Sequence, residues 1–103
     1  MAYQLIASYA HPEDPEAFLD HYANVHAPIG ATFPDLRAYT WVVCETPDGT
    51  RPEHFVIATL TWDSRDQALA ALASEPGKAA VADLATFAQA GVALEFGEVR
   101  QGM

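Results

Sequence analysis

Residues 36–62, LRAYTWVVCETPDGTRPEHFVIATLTW, decide the fold. The two ends of this segment, residues 36–44 and 55–62, are rich in aromatic and β-branched side chains, which predicts two strands. The turn cluster between them contains the pair Asp48-Gly49, a strong chain-reversal signal. The segment therefore predicts an antiparallel hairpin with a rather long loop.

Upstream of this hairpin the sequence predicts a strand and a helix. Residues 3–9 alternate between two faces, which predicts the first strand. Asp14 suits a helix N-cap and Pro15 the first helical position. An apolar stripe at i, i+4, i+7 and i+11 follows, formed by Phe18, Tyr22, Val25 and Ile29. Because Pro28 disfavours helical geometry at the residue before it, we expect this helix to span residues 15–25.

Downstream, a second helical region and a last strand are predicted. Asp63 or Ser64 is the expected cap, and Pro76-Gly77 is expected to interrupt the helix before it resumes over residues 78–90. Residues 94–99 form the last strand. The order β-α-β-β-α-β in a single domain, residues 1–103, predicts an α+β fold of the ferredoxin-like type, an antiparallel sheet with both helices on one face.

The hairpin strands also predict a partner for the sheet. Residues 38–44 and 55–62 carry no charged side chain, whereas a sheet with one wet face normally alternates apolar and polar residues. Two helices cover only one face, so a second copy of the same sheet is the simplest cover for the other. We therefore expect a homodimer through the sheet face.

The charge of the chain restricts its partners. The formal net charge is −9 and there are only five basic residues, too few to line a nucleic acid backbone. An anionic membrane would repel such a chain, and no apolar run approaches the length of a membrane span. The single cysteine, Cys44, cannot form an internal disulfide. We expect a cytoplasmic protein that binds neither nucleic acid nor membrane.

The region after the first predicted helix resembles a known family. Residues 21–29, HYANVHAPI, and 34–39, PDLRAY, resemble the EthD-like family, whose helix ends in Tyr-x-x-x-His-x-Pro-hydrophobic and leads into Pro-Gly-Leu-Arg-x-Tyr. Residues 62–64 and 79–84, with Phe87, are similar to that family's second helical region. One departure is Asp35, where the family pattern has glycine; aspartate tolerates turn geometry.

The resemblance implies a dimeric α/β barrel, in agreement with the fold and dimer predicted above. It implies less about activity. Related members act as dehydratases, decarboxylases or cyclases in aromatic polyketide pathways, while other branches of the superfamily include lactone isomerases and haem-binding monooxygenases. No phosphate-binding loop or nucleotide fingerprint is present, and we expect no cofactor.

His26 is the first candidate for chemistry, with Tyr22 four residues before it on the same side of the helix. A histidine there is either a general acid or base or a structural group that bonds the last carbonyls of the helix. His21 lies five residues from His26, about 140° away on an α-helix. We therefore expect the two rings to diverge, and we expect no metal site.

Two charged residues have open alternatives. Asp83 either pairs with His26 or Arg37, accepts a hydrogen bond from Tyr22, or faces water. Arg37 either binds a substrate carboxylate or anchors its loop through Asp35 or Asp83.

Aromatic side chains on the predicted strands and second helical region suit an aromatic-lined cavity for an apolar or aromatic small molecule. Equally, they suit the core and the dimer interface. The candidate substrate-binding residues are Arg37, Tyr39, Trp41, Trp62 and Phe87, and the candidate catalytic residues are His26, Tyr22 and Asp83.

These candidates support three hypotheses. The first is a cofactor-independent enzyme that dehydrates, decarboxylates or isomerises a small aromatic or polyketide-like molecule through proton transfer at His26. The second is a non-catalytic, dimeric ligand-binding accessory protein of an oxygenase or degradation system. The third, ranked last, is a haem- or oxygen-using monooxygenase.

Overall fold

A computed structural model describes residues 2–103. Its elements are β1 (Tyr3–Tyr9), α1 (Pro15–His21), a π-helical segment (Tyr22–His26), α2 (Ala27–Gly30), β2 (Ala38–Val43), β3 (Val56–Trp62), α3 (Arg65–Ala73), α4 (Glu75–Phe87) and β4 (Val92–Glu98). The predicted order β-α-β-β-α-β is confirmed, although each predicted helical region consists of more than one segment. None of the helices in this range is long and apolar enough to cross a membrane.

The four strands form one sheet in the order β2-β3-β1-β4. All neighbouring strands are antiparallel: β1 lies between β3 and β4, and β2 pairs with β3 at the edge. This arrangement confirms the predicted ferredoxin-like α+β fold. The sheet of a single chain is open, so one chain does not close a barrel.

The helices cover one face of this sheet and form the core with it. Phe18 of α1 and Tyr22 of the π-helical segment are buried there, as is Trp62 of β3. The strand residues on this face that are buried are Leu5, Ala7, Tyr9, Val56, Ala58, Leu60 and Trp62. Period-two alternation along β1 and β3 therefore places the site, because every second residue of these strands points toward the helices.

No helix covers the opposite face, which we call the open face. By the register of the strands, its residues are Gln4, Ile6, Ser8, Ala38, Thr40, Val42, Ile57, Thr59, Thr61, Ala93, Glu95 and Gly97. Only Glu95 of this set carries a charge. Val42 is 57% exposed, so the open face presents apolar and small polar side chains to its surroundings.

The first helix differs from the prediction, which ended it near residue 25. Helical backbone continues to Gly30, but residues Tyr22–His26 form a π-helix, in which the Ala27 N–H donates to the Tyr22 carbonyl, five residues earlier. Pro28 then falls in the first turn of α2, where its missing N–H is not needed. Pro28 thus follows the wider π-helical turn and does not end the helix.

The π-helical segment also shifts the apolar stripe. Val25 belongs to the predicted apolar stripe but is 42% exposed, whereas His26 is only 7% exposed. A turn closed by i→i+5 bonds takes up an extra residue, so the inward side of the helix advances by one position. The buried series is therefore Phe18, Tyr22 and His26.

The break in the second helical region also lies elsewhere than predicted. Ser74 ends α3 and caps α4, accepting a hydrogen bond from the Gly77 N–H. Pro76 and Gly77 belong to the first turn of α4, where proline is tolerated. A Cβ at Gly77 would collide with the carbonyls of Ala71 and Leu72, so glycine permits the two helices to meet closely.

Asp35 adopts a left-handed backbone conformation, with φ of 59°. Aspartate is one of the few residues other than glycine that visits this region. Asp35 therefore holds a turn conformation that glycine adopts without strain.

Candidate active site

A small cavity of about 40 Å³ lies between the helices and the sheet. Apolar side chains from β1, β3, α4 and β4 line most of it, among them Leu5, Leu60, Leu84 and Leu94. Its polar lining consists of one imidazole and three phenols: His26, Tyr9, Tyr22 and Tyr39. The cavity therefore combines an apolar body with a group of side chains that can transfer or donate protons.

His26 is fixed in orientation by Asp83 of α4. Its Nδ1 lies 2.9 Å from Asp83 Oδ2, and since an ionised carboxylate only accepts, Nδ1 carries the proton. The other ring nitrogen, Nε2, lies 3.4 Å from the Tyr9 hydroxyl. In the neutral ring Nε2 is then an unprotonated acceptor directed at the cavity, which is the arrangement that a general base requires.

The protonation of this pair follows from its surroundings. Burial lowers the pKa of His26 below its ordinary value, and the neighbouring His21 lowers it further, although Asp83 acts in the opposite sense. Burial raises the pKa of Asp83, but hydrogen bonds from His21, His26 and Thr86 outweigh this effect and leave that pKa below its usual range. A neutral imidazole beside an ionised carboxylate is therefore the form favoured near neutral pH.

The three tyrosines form the rest of the polar lining. The hydroxyls of Tyr22 and Tyr39 are 2.6 Å apart and share a hydrogen bond, and the rings of Tyr9 and Tyr22 pack edge to face. Burial raises the pKa of all three phenols. They therefore stay protonated and serve as hydrogen-bond donors.

Gly30 permits this arrangement of phenols. A Cβ at that position would lie 2.6 Å from Cε2 of Tyr39, much closer than van der Waals contact. The glycine at the end of α2 thus lets the Tyr39 ring reach the helix and bond Tyr22.

The expectation that the rings of His21 and His26 diverge was wrong. His21 Nε2 lies 2.9 Å from Asp83 Oδ1 and 3.0 Å from Oδ2, so both rings bond the same carboxylate. The expectation assumed α-helical rotation, whereas the π-helical segment brings residues five apart to one side. Asp83, whose side chain is 11% exposed, pairs with His26, which resolves its open alternatives.

The remaining candidates lie in several places. Phe87 packs against the rings of both His21 and His26, at centroid distances of 4.9 and 4.8 Å. Trp41 packs on Tyr22 at 4.7 Å. Both therefore support the site from outside the cavity lining.

Two candidates lie outside this site. Arg37 is exposed and pairs with Asp63, at 2.7 Å, where an ion pair with Asp35 or Asp83 was the expected anchor. Trp62 is fully buried, donates its indole N–H to the Pro34 carbonyl and stacks on Phe33. Neither side chain lines the cavity.

Sequence reasoning missed Tyr9 and His21. Tyr9 follows Leu5 and Ala7 on the inward face of β1, so the alternation predicts its burial but gives no sign that its hydroxyl meets His26. His21 was set aside through the assumed helical rotation. Within residues 2–103, no group of three or more His, Cys, Asp or Glu side chains has an arrangement that could hold a metal ion.

The fold and the site together define a ferredoxin-like α+β protein with a carboxylate–histidine pair at a small, mostly apolar cavity. Residues 10–91 match the EthD domain family, and the chain belongs to that family. It is 36% identical over 94 residues, 91% of each protein, to an uncharacterised 11.0 kDa protein from the thcB–thcC intergenic region of Rhodococcus erythropolis. A crystal structure of an EthD family protein from Bacillus halodurans is also similar, with a TM-score of 0.91 and 32% identity over 97% of this chain and 100% of that one.

More distant structures share the fold. The cofactor-independent oxygenase SnoaB of Streptomyces nogalater has a TM-score of 0.69 at 18% identity, covering 99% of this chain and 95% of that one. A hydroxynitrile lyase from Passiflora edulis has a TM-score of 0.75 at 9% identity, with the same coverage. A dimeric ferredoxin-like protein of unknown function from Thermobifida fusca has a TM-score of 0.75 at 15% identity, covering 96% and 92%.

Acid should destabilise the fold through His26. Its pKa in the folded protein lies below the ordinary 6.5, so the unfolded chain takes up a proton first as the pH falls. The stability that the neutral ring contributes is complete above pH 6.5 and is lost as the pH falls toward the folded-state pKa. Urea unfolding between about pH 7.5 and pH 5 should show a smaller loss of unfolding free energy in His26→Gln than in the wild type. Equal losses in the two proteins would contradict this assignment.

Proposed function

We propose that this protein is a small, cofactor-independent enzyme that moves a proton on an apolar or aromatic small molecule, as in dehydration, decarboxylation or isomerisation. The single observation that carries the proposal is the orientation of His26, with Nδ1 bonded to Asp83 and Nε2 directed at an apolar cavity. Such chemistry needs a positioned base and donors for the developing charge, and both are side chains of this chain.

His26 acts as the base in this proposal. Its lowered pKa keeps the ring neutral and able to accept a proton near neutral pH. Asp83 holds the reactive tautomer and stabilises the imidazolium that forms when the ring accepts a proton, a role that does not require Asp83 itself to be protonated. His26 then returns the proton to the product or to water.

The tyrosines act on the oxygen of the ligand. Proton removal beside a carbonyl places negative charge on the carbonyl oxygen, and preorganised donors in a dry site stabilise that charge. The Tyr9 hydroxyl donates to Nε2 of His26 and is free to donate to the ligand oxygen once the ligand takes its place at Nε2. The Tyr22–Tyr39 pair uses one proton for its shared bond and keeps one for the ligand. The site thus favours a ligand with an apolar body and one carbonyl or phenolic oxygen.

The ligand must widen the cavity on binding, because about 40 Å³ is close to the share of volume of a single water molecule. Val81 of α4 and Leu94 of β4 line the cavity and are also 53% and 47% exposed. We infer that the ligand enters between α4 and β4, past these two side chains. Arg37 and Trp62 are given no contact with the ligand, since both lie away from the cavity.

Two alternatives differ in what happens at the same site. A ligand-binding accessory protein would use the same cavity and would not turn its ligand over. A haem-using monooxygenase has less support, because a porphyrin would need far more space than the cavity of about 40 Å³, and more than a small aromatic ligand would need. The likeness to an oxygenase and to a lyase concerns the fold and does not choose between these reactions.

Proton transfer can be measured without knowing the natural substrate. In D₂O the wild type should accelerate deuterium exchange at the acidic carbon of 2-tetralone, an aromatic ketone, as followed by NMR. His26→Gln should lower the enzyme-dependent rate about 100-fold or more, and His54→Gln, which alters a histidine outside the site, should leave it unchanged. A folded His26→Gln protein with wild-type exchange would contradict the proposal. Saturable binding without exchange would favour the accessory protein.

We also propose a homodimer in which two open faces pack together, as the sequence predicted, and in which the two sheets form the barrel that a single sheet leaves open. Its support is a broad face with one charged side chain, Glu95, and a fold neighbour described as dimeric. The free Cys44 thiol suits the cytoplasmic location expected for this protein.

The dimer has a direct test on the central strand. Thr59 of β3 lies on the open face, so Thr59→Arg would place one charge from each copy in the interface and should give a monomer by light scattering after size exclusion. Ala70→Arg adds the same charge at an exposed position of α3 and should leave the dimer intact. A dimeric Thr59→Arg protein would place the interface elsewhere.

A further inference from the structure

We propose that His21 is a positioning residue for His26: it holds Asp83 from the solvent side and competes with His26 for the negative charge of that carboxylate. This inference rests on the proposed role of His26 as the base. The side chain of His21 lines no part of the inner cavity. His21 therefore acts on a ligand in that cavity only through Asp83 and His26.

The hydrogen bonds around Asp83 show how the carboxylate is shared. Oδ2 accepts from His26 at 2.9 Å and from His21 at 3.0 Å, whereas Oδ1 accepts from His21 at 2.9 Å and from Thr86 at 3.0 Å. His21 is the only one of these three donors that bonds both oxygens. It therefore draws on the negative charge of both oxygens, including Oδ2, which also accepts from His26 Nδ1.

The two rings differ in their access to water. The side chain of His26 is 8% exposed, and that of His21 is 29% exposed. His21 also lines an outer groove of about 500 Å³ between the start of α1 and the end of α4, together with Glu13 and Asp14. Water therefore reaches His21 directly, while His26 lines the inner cavity.

Phe87 lines the outer groove and packs against both histidine rings. It stacks on His21 with an interplanar angle of 26° and packs against His26 at 50°. The ring of His21 is thus held by Phe87 on one side and by Asp83 at its Nε2 edge. Such a ring is a fixed part of the site, unlike a surface histidine that samples many rotamers.

The sharing has an electrostatic consequence. The charged or titratable groups around His21 are Asp83 from α4 and His26 from the π-helical segment, and Glu13 and Asp14 line the same groove. The N–H that His21 donates to both oxygens offsets part of the negative charge of the carboxylate, so Asp83 attracts a proton on His26 less strongly. The neighbouring His21 accordingly lowers the pKa of His26 and keeps it available as a base.

Two variants separate the donor from the ring. His21→Gln removes the ring and leaves a weaker, neutral N–H donor near Asp83. His21→Phe removes the donor and keeps an aromatic ring against Phe87. Thr86→Val is the matched control, because it removes a neutral donor to Oδ1 and no charge.

The readout is the pKa of His26, measured from its imidazole carbon resonances in the intact protein during an NMR titration. Both His21 variants should raise this pKa, with the larger rise in His21→Phe, and Thr86→Val should change it less than either. An unchanged His26 pKa in His21→Gln and His21→Phe, each folded by circular dichroism, would overturn the inference. Should His21→Phe fail to fold, His21→Gln alone still decides the result.

This titration does not depend on turnover. If His26 shifts as expected while the wild type exchanges no ketone deuterium, the coupling between the histidines stands and the proposed enzyme function fails. If exchange occurs and the His26 pKa stays constant in the variants, the function stands and His21 is merely a structural neighbour. If both proposals hold, exchange should begin to fall at a higher pH in the His21 variants than in the wild type. This shift in pH should match the rise in the His26 pKa.

Discussion

The hydrogen bond from the Ala27 N–H to the Tyr22 carbonyl is the interaction on which the site depends. It closes a π-helical turn, and that turn places residues five apart on one side of the helix. In a regular α-helix, residues 21 and 26 would lie about 140° apart around the helix axis, on different sides. The bond also turns His26 inward in place of Val25. Single π-helical turns are rare and recur at functional sites, which fits an imidazole directed at a cavity here.

The cavity surrounds His26 and three phenols with apolar side chains. Its apolar walls exclude water, which lowers the pKa of His26 and raises that of each phenol. The result is a neutral base beside protonated donors, the pair of states that proton transfer next to a carbonyl requires. Family membership agrees with this site without fixing the reaction, since fold and function vary independently.

The fold was predictable because it depends on periodicity and composition. Alternation along residues 3–9, the uncharged strands of the hairpin and the capping residue Ser64 each act over a few neighbours, and the structure contains the elements they predict. Asp83 as the partner of His26 was also among the predicted alternatives. These features need no knowledge of how distant segments adjust to one another.

The geometry of the site was less predictable, for identifiable reasons. A π-helical turn has no simple sequence signal, so rotation by 100° per residue misplaced His21 and Val25. Tyr9 was predicted only as an inward strand residue, because its contact with His26 joins two elements across the core. Arg37 pairs with Asp63, where β3 ends, a contact that depends on the register of β2 and β3. Each miss concerns a contact between separate elements or a departure from regular helix geometry.

The most direct test of this account is the tautomer of His26. Long-range ¹H–¹⁵N spectra of the imidazoles at neutral pH should show His26 as a neutral ring with the proton on Nδ1 and an unprotonated Nε2. That result would establish the bond to Asp83 and a base directed at the cavity. A neutral ring protonated on Nε2, or a doubly protonated ring, would contradict the central claim that His26 is held ready to accept a proton.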